Sequence, residues 1–144
     1  MDNIGNELLV VDDNPENLKV LNEMLKKAGY RVRVAKNGKM ALTSIENAEP
    51  DLVLLDIHMP EMDGFALCKK IKENPAYENL PVIFLSALDD SFNKLQGFKA
   101  GAVDYITKPF DMEEVKARVS IHLKLKSSLL ELSYLKNQLT EKDM

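Results

Sequence analysis

The sequence predicts an α/β fold in which five parallel strands form one sheet and helices cover both of its faces. Short apolar segments alternate five times with segments of helical periodicity along the 144 residues. Each strand–helix unit takes roughly 20–25 residues, enough for the crossover that parallel strands require. Glycine or proline stands at several junctions, as at Gly29, Pro50 and Gly101, where a strand or helix is expected to end.

The five predicted strands are short and mostly apolar. The third is the most apolar and is expected near the centre of the sheet, whereas the second alternates polar and apolar residues and is expected nearer an edge. The predicted strands are Glu7–Val11, Tyr30–Ala35, Asp51–Asp56, Leu80–Ser86 and Ala102–Thr107.

A helix is predicted after each strand. The first opens with Asn14 at the N-cap and Pro15 in the first turn, and Gly29 closes it. The later helices are predicted at about Gly38–Ala48, from Asp63 to Asn74, at Asp89–Ala100, and from about Asp111 onwards.

Composition narrows the class of protein. An apolar content of 45% predicts one domain with a hydrophobic core, and 19 basic against 23 acidic residues leave too little positive charge for a general nucleic-acid binder. The single cysteine, Cys68, excludes an internal disulfide framework and favours a reducing compartment. No apolar segment approaches the ~20 residues of a membrane span, and the first residues do not resemble a secretory signal. We therefore expect a cytoplasmic protein.

Polar residues stand where the predicted strands end. Asp12 and Asp13 follow the first strand, Asp56 ends the third, Ser86 ends the fourth and Lys108 follows the fifth. Parallel strands joined by right-handed crossovers bring their carboxyl ends to one edge, and ligands bind there in open sheets. The fold therefore predicts one site that contains three carboxylates, a hydroxyl and an amine.

Three carboxylates in one site repel each other, at a cost of roughly 4 kcal/mol per pair at about 4 Å and an effective dielectric constant near 20. A raised pKa or a divalent cation would relieve this repulsion, and hard oxygen ligands suit Mg²⁺. Lys108 offers a compact positive charge to an oxyanion, and Ser86 can donate a hydrogen bond to it. The set is suited to a phosphoryl group carried by one of the carboxylates.

Four segments in order resemble the receiver domain of two-component response regulators. They are Asp12-Asp13, the nine residues 56–64 (DIHMPEMDG), Ser86-Ala87 and the ten residues 101–110 (GAVDYITKPF). The resemblance covers about residues 6 to 122. It implies a flavodoxin-like sheet of strand order 2-1-3-4-5, with a receiver domain over residues 1–122 and a projecting helix over 123–144.

The resemblance also implies roles for individual residues. Asp56 would accept a phosphoryl group from the phosphohistidine of a sensor histidine kinase. Asp13, Asp56 and the main-chain carbonyl of His58 would bind Mg²⁺ directly, and Asp12 would hold the ion through water. Such a domain is a phosphoacceptor in signalling rather than an enzyme, although it catalyses its own phosphotransfer and slow dephosphorylation.

The resemblance implies that the remaining site residues bind the phosphoryl group or respond to it. Ser86 and Lys108 would bind the phosphoryl oxygens. The aromatic ring of Tyr105 would change rotamer when Ser86 is drawn towards the phosphoryl group. The bond between Lys108 and Pro109 is cis in this family, as proline permits. Asp104 is expected to be exposed.

Three other functions are weighed against this one. A phosphohydrolase of the haloacid dehalogenase type would require a second aspartate two residues after the nucleophile, where this chain has His58. A nucleotide- or flavin-binding domain would require a glycine-rich phosphate loop, which the sequence lacks. A receiver that only dimerises and is never phosphorylated would not require the complete set of Asp12, Asp13, Asp56 and Lys108.

The C-terminal segment is predicted to be a helix too long for the domain. Residues 111–140 contain no proline or glycine, and a helix of that length spans roughly 45 Å. A heptad-like seam recurs along it, and Leu129 and Leu130 widen the apolar stripe. The seam consists of Ile121, Leu125, Ser128, Leu132, Leu135 and Leu139.

This seam predicts a parallel coiled coil that joins two copies of the chain and leads towards an effector domain beyond Met144. The alternative is a solvated linker that becomes ordered only with a partner domain. His122 is expected to pack or to lie at the surface, and no basic recognition helix is present, so we expect no direct binding to nucleic acid.

Overall fold

Five parallel strands form a single sheet in the computed structural model, which describes residues 6–87 and 93–142. The strand order is β2-β1-β3-β4-β5, so β3 lies at the centre and β2 at an edge, as predicted. All four neighbouring pairs are parallel. The strands are β1 Glu7–Val11, β2 Arg31–Ala35, β3 Leu52–Asp56, β4 Val82–Ser86 and β5 Asp104–Thr107.

Helices alternate with these strands, which confirms the predicted α/β fold. Asparagine or aspartate side chains cap the first three helices: Asn14 accepts from the N–H of Glu16, and Asp63 accepts from that of Ala66. The helices are α1 Pro15–Lys27, α2 Gly38–Asn47, α3 Gly64–Glu73, a 3₁₀ turn Pro75–Tyr77, α4 Asn93–Ala100 and α5 Met112–Lys142.

Some boundaries differ from the prediction. The fourth and fifth strands each begin two residues later than their apolar patterns suggested, because Leu80, Pro81, Ala102 and Val103 are approach segments outside the regular strands. The predicted start of the fourth helix at Asp89 lies outside the described residues, and the described helix begins at Asn93.

The core has two layers because alternate residues of each strand point to opposite faces. On one face, Leu9 and Val11 of β1 pack with residues of α2, α3 and α4. On the other face, Leu8 and Val10 pack with residues of α1 and α5. Every residue of β3 and β4 is buried. Helices therefore cover both faces of the central strands, and the carboxyl ends of those strands are where a ligand site is expected.

The first part of α5 packs on the sheet, and the rest of the helix leaves it. Val115, Val119 and Leu123 are buried, whereas every residue from 127 to 139 is exposed. The helix has 31 residues, which correspond to about 46 Å. Neither α5 nor any other helix among the described residues is long and apolar enough to cross a membrane.

Candidate functional site

The carboxyl ends of the strands bring three aspartates together. Asp12 and Asp13 follow β1 and Asp56 ends β3, and one carboxylate oxygen from each lies within 4.8 Å of the other two. Asp12 and Asp56 are buried, and Asp13 is exposed. The site therefore opens to solvent on the side of Asp13.

The start of α1 holds Asp12 in place. One oxygen of its carboxylate accepts from the backbone N–H of Asn14 at 2.9 Å, and the other accepts from the side-chain amide of Asn17 at 3.1 Å. Asn14 also caps α1. Asn17 is a site residue that was not predicted from the sequence, where its spacing of five residues from Asp12 is the available signal.

Lys108 supplies the positive charge of the site. Its ammonium nitrogen lies 3.2 Å from Oδ1 of Asp56 and 3.7 Å from Oδ2 of Asp12. Its backbone N–H donates to the carbonyl of Ser86 at 2.7 Å, which ties the end of β5 to the end of β4. The peptide bond between Lys108 and Pro109 is cis.

The environment of Asp56 favours its protonated form. Burial raises the pKa of this carboxyl from its ordinary 3.8 to about 6, and the neighbouring charge of Asp12 acts in the same direction. The ammonium of Lys108 lowers the pKa and so limits the rise. Two buried acids and one exposed acid thus face a single ammonium among the described groups.

This donor set fits a divalent cation. The three carboxylates offer hard oxygen ligands from two neighbouring strands, which is the kind of ligand that Mg²⁺ takes, and they carry more negative charge than Lys108 can offset. His58 has an exposed side chain, and its backbone N–H lies 3.4 Å from Oδ1 of Asp56. A ligand role for its main-chain carbonyl stays a prediction.

The loop after Asp56 is shaped by close backbone packing. A Cβ atom on Gly64 would lie 2.9 Å from Cα of Ile57 and would collide with the carbonyl oxygen of Asp56. The N–H of Gly64 donates to the carbonyl of Ile57 at 2.8 Å, and Glu61 adopts a left-handed φ of 68°. Only glycine at position 64 lets the start of α3 approach the phosphoacceptor candidate so closely.

Two further residues that were predicted to belong to the site, Ser86 and Tyr105, lie in the neighbouring strands β4 and β5. Ser86 is buried at the end of β4. The ring of Tyr105 is also buried, and its hydroxyl donates to the carbonyl of Lys94 in α4 at 2.7 Å. The ring therefore points inwards against α4.

The expectation that Asp104 is exposed is wrong. This residue is half-buried, and its carboxylate accepts two hydrogen bonds from Arg118 at 2.7 and 2.9 Å, while Nε2 of His122 lies 2.9 Å away. Burial alone would raise the pKa of Asp104, but hydrogen bonds from the Tyr105 N–H, Arg118 and His122 together hold it below its usual value. Arg118 and His122 stand four residues apart and so lie on the same side of α5, which was visible in the sequence. Nothing in the sequence indicated that Asp104 would be the acid that both of them contact.

Comparison with known proteins defines the class. Residues 8–120 match the response regulator receiver domain, and the chain belongs to this family. This confirms the resemblance and the expected flavodoxin-like fold.

Curated relatives carry the same domain within longer chains. The chain is 43% identical over 121 residues to a probable cyclic di-GMP phosphodiesterase of Vibrio cholerae, which covers 84% of this chain and 27% of that protein. It is 41% identical over 112 residues to the response regulator PleD of Caulobacter vibrioides, covering 78% and 25%. The transcriptional regulatory protein PhoP of Bacillus subtilis is 37% identical over 134 residues, covering 93% and 55%. The chain thus spans from about a quarter to about half of these relatives.

Solved structures of similar size have the same fold. A response regulator from Chloroflexus aurantiacus superposes with a TM-score of 0.81 at 39% identity, covering 83% of this chain and 98% of that one. The chemotaxis protein CheY4 of Vibrio cholerae gives a TM-score of 0.76 at 29% identity, covering 80% and 96%.

Proposed function

We propose that this receiver domain is a phosphorylation-controlled switch that accepts a phosphoryl group on Asp56 from the phosphohistidine of a sensor histidine kinase, with Mg²⁺ as cofactor. The observation that carries the proposal is the site itself. Three carboxylates have oxygens within 4.8 Å of one another, and the ammonium of Lys108 lies 3.2 Å from the proposed acceptor. A purely structural cluster would not need to concentrate so much negative charge.

In the proposed reaction an oxygen of Asp56 attacks phosphorus, and the bond between phosphorus and the donor imidazole breaks. With a pKa of about 6, Asp56 is mostly ionised at pH 7 and can act as the nucleophile without a separate base. The acyl phosphate adds nearly two negative charges, which Lys108 would partly offset. Bound Mg²⁺ would supply the remaining charge neutralisation, held by Asp12, Asp13, Asp56 and the main-chain carbonyl of His58.

Ser86 and Tyr105 would transmit the change. The hydroxyl of Ser86 would bind a phosphoryl oxygen together with Lys108, and Tyr105 would respond at the surface formed by α4, β5 and α5. We expect this surface to be the output of the switch.

The free, buried thiol of Cys68 is compatible with the expected cytoplasmic location.

We further propose that residues 1–122 form the receiver and that residues 123–144 form a helix that pairs with a second copy. Each helical residue turns by about 100°, so Ser128, nine residues after the buried Val119, lies on the opposite side of α5. The predicted seam therefore faces away from the sheet. An effector domain beyond Met144, or a separate downstream protein, would then receive the signal from this dimer.

The phosphotransfer is tested by mass. The protein is incubated with acetyl phosphate and Mg²⁺, and intact mass spectrometry is used to look for a single phosphoryl adduct. Asp56→Asn is expected to abolish the adduct. Glu61→Gln, an exposed substitution in the same loop, is expected to keep it. An unchanged adduct in Asp56→Asn would refute the assignment, and no adduct in the parent protein would favour the dimerising scaffold.

The dimer is tested by light scattering on the full chain. Leu132 and Tyr134 are exposed to nearly the same extent, 65% and 62%, but only Leu132 lies in the seam. We expect Leu132→Lys to halve the mass of the dimer and Tyr134→Lys to leave it unchanged. A monomeric parent protein at high micromolar concentration, with and without a phosphoryl mimic, would refute this part of the proposal.

A further inference from the structure

Gly97 is a buried glycine in the middle of an exposed helix. It lies in α4, Asn93–Ala100, where Leu95 and Phe98 are half-exposed or more and where Gly97 and Ala100 are the buried residues among those whose side chains are described. Glycine inside a helix lowers its stability relative to alanine, because the flexible backbone loses more entropy when it is ordered. A helix of eight residues whose described side chains are mostly exposed is only weakly stabilised by packing. The presence of glycine rather than alanine at position 97 therefore requires a reason other than helix stability.

The missing side chain of Gly97 makes room for the ring of Tyr105. A Cβ atom at this position would lie 2.8 Å from Cζ of Tyr105 and 2.8 Å from Cδ2 of Phe84, and would collide with the Tyr105 hydroxyl. Phe84 is fully buried in β4, whereas the Tyr105 ring keeps a small exposure and contacts the exposed Phe98. The tyrosine ring is therefore the one of the two with a path outwards.

The same ring holds the helix. The hydroxyl of Tyr105 donates to the carbonyl of Lys94 at 2.7 Å, in the first turn of α4. Its ring also contacts Phe98 edge-on, with centroids 5.3 Å apart, and lies 5.8 Å from the ring of Phe84. Because Gly97 and Ala100 are the only buried residues among the described side chains of α4, these contacts help to hold the helix against β5.

We propose that Gly97 is a positioning residue of the switch: its bare backbone forms a slot that admits the Tyr105 ring, so that the inward ring and the docked α4 exist only together. This inference rests on the proposed role of Tyr105 as the switch residue. An alanine at position 97 closes the slot, expels the ring and releases the first turn of α4, even though alanine is the better helix former.

A double-mutant cycle tests the coupling by thermal unfolding. We expect Gly97→Ala to lower the Tm of the parent protein by several degrees more than in a Tyr105→Ala background, where the collision with the ring is gone, the better helix propensity of alanine offers up to about 3 °C, and only the 2.8 Å approach to Phe84 remains. Gln96→Ala is the matched control, since Gln96 is the exposed preceding residue and should act equally in both backgrounds. Equal effects of Gly97→Ala in the two backgrounds would overturn the proposal.

Rescue keeps the test decisive if Gly97→Ala alone does not fold. The double variant with Tyr105→Ala is then expected to fold, because two of the three closest atoms, the hydroxyl oxygen and Cζ of Tyr105, are removed with the ring. A double variant that also fails to fold, beside a folded Tyr105→Ala, would overturn the proposal.

Ring position gives a second readout that general destabilisation would not produce. The protein is labelled with fluorotyrosine, and the ¹⁹F resonance of Tyr105 is assigned with Tyr105→Phe. The exposed Tyr134 and the buried Tyr30 serve as internal references for solvent accessibility. We expect Gly97→Ala to shift the Tyr105 signal, and its solvent-induced shift in D₂O, towards those of Tyr134. A Tyr105 signal that stays buried in a folded Gly97→Ala variant would refute the slot.

Neither measurement uses a phosphoryl donor. Failure of Asp56 to form the adduct would therefore refute the proposed function without altering the coupling between Gly97 and Tyr105. Additive effects in the cycle, beside normal phosphorylation of Asp56, would refute only the inference about Gly97.

Discussion

Replacing Asp56 with asparagine is expected to stabilise the metal-free protein at neutral pH. The carboxyl is buried beside Asp12, and these two conditions raise its pKa from 3.8 to about 6 in spite of Lys108. Above that pH the folded protein must hold an ionised group that would be better solvated in the unfolded chain. Asparagine has nearly the same shape and no charge, so the variant does not bear this cost.

The size of the effect follows from the two pKa values. Each tenfold change in acidity corresponds to about 1.4 kcal/mol, so the difference between 3.8 and about 6 corresponds to about 3 kcal/mol. The sign follows from proton binding: between these pH values the folded state binds more protons than the unfolded state, so stability falls as pH rises. The wild-type protein is expected to lose about 3 kcal/mol relative to Asp56→Asn as the pH rises from well below 3.8 to well above 6, with most of the loss between these two values.

Urea unfolding of both proteins from pH 4 to pH 8 in the presence of EDTA measures this difference. Glu61→Gln is the control for loss of an acid in the same loop and should follow the wild type at every pH. Mg²⁺ should then restore the wild-type protein selectively, because an ion that binds only the folded state stabilises it by mass action. A difference between wild type and Asp56→Asn that does not vary with pH would refute the assigned environment of Asp56.

Three further changes test other contacts. Gly64→Ala places a Cβ against the backbone of Asp56 and Ile57 and should destabilise the protein by about 1–3 kcal/mol in urea unfolding, whereas a neutral effect would contradict the close approach. Asp104→Asn should lower the free energy of unfolding by about 1–2 kcal/mol at pH 7, because the ionised carboxylate is the form that stabilises the fold. This loss should disappear once the pH falls below the lowered pKa of Asp104, so an equal loss at pH 3 would contradict the assignment. Lys72→Met removes an ammonium that donates to the carbonyls of residues 77, 78 and 80 and should speed hydrogen exchange over residues 74–80, whereas the exposed Lys70→Met should not.

The strand and helix pattern was readable because it depends on local order in the chain. Apolar runs such as residues 52–55, a capping Asn14 and a terminating Gly29 each act on their own neighbours, and the structure places β3 and α1 where these signals predict. The boundaries of β4 and β5 were less accurate, because apolarity marks burial rather than the regular pairing that defines a strand.

The candidate site was predictable for a topological reason. Once five strands are parallel, their carboxyl ends must share an edge, so Asp12, Asp56 and Lys108 meet although 44 and 52 residues separate them along the chain. Their grouping needed no knowledge of side-chain contacts. Asn17 escaped prediction because an amide on a helix surface has many possible partners.

The sequence by itself determined the alternation of strands and helices, the edge at which the acidic residues gather, and the long helix at the end of the chain. These follow from periodicity and from the handedness of crossovers, which are properties of the backbone. Only the tertiary structure decided that Asp104 is joined to Arg118 and His122, that the ring of Tyr105 lies over Gly97, and that Asp56 is held near the point of protonation. Those outcomes depend on distances of a few ångströms between side chains from different elements, and on how much water remains around them, and no local pattern encodes either quantity.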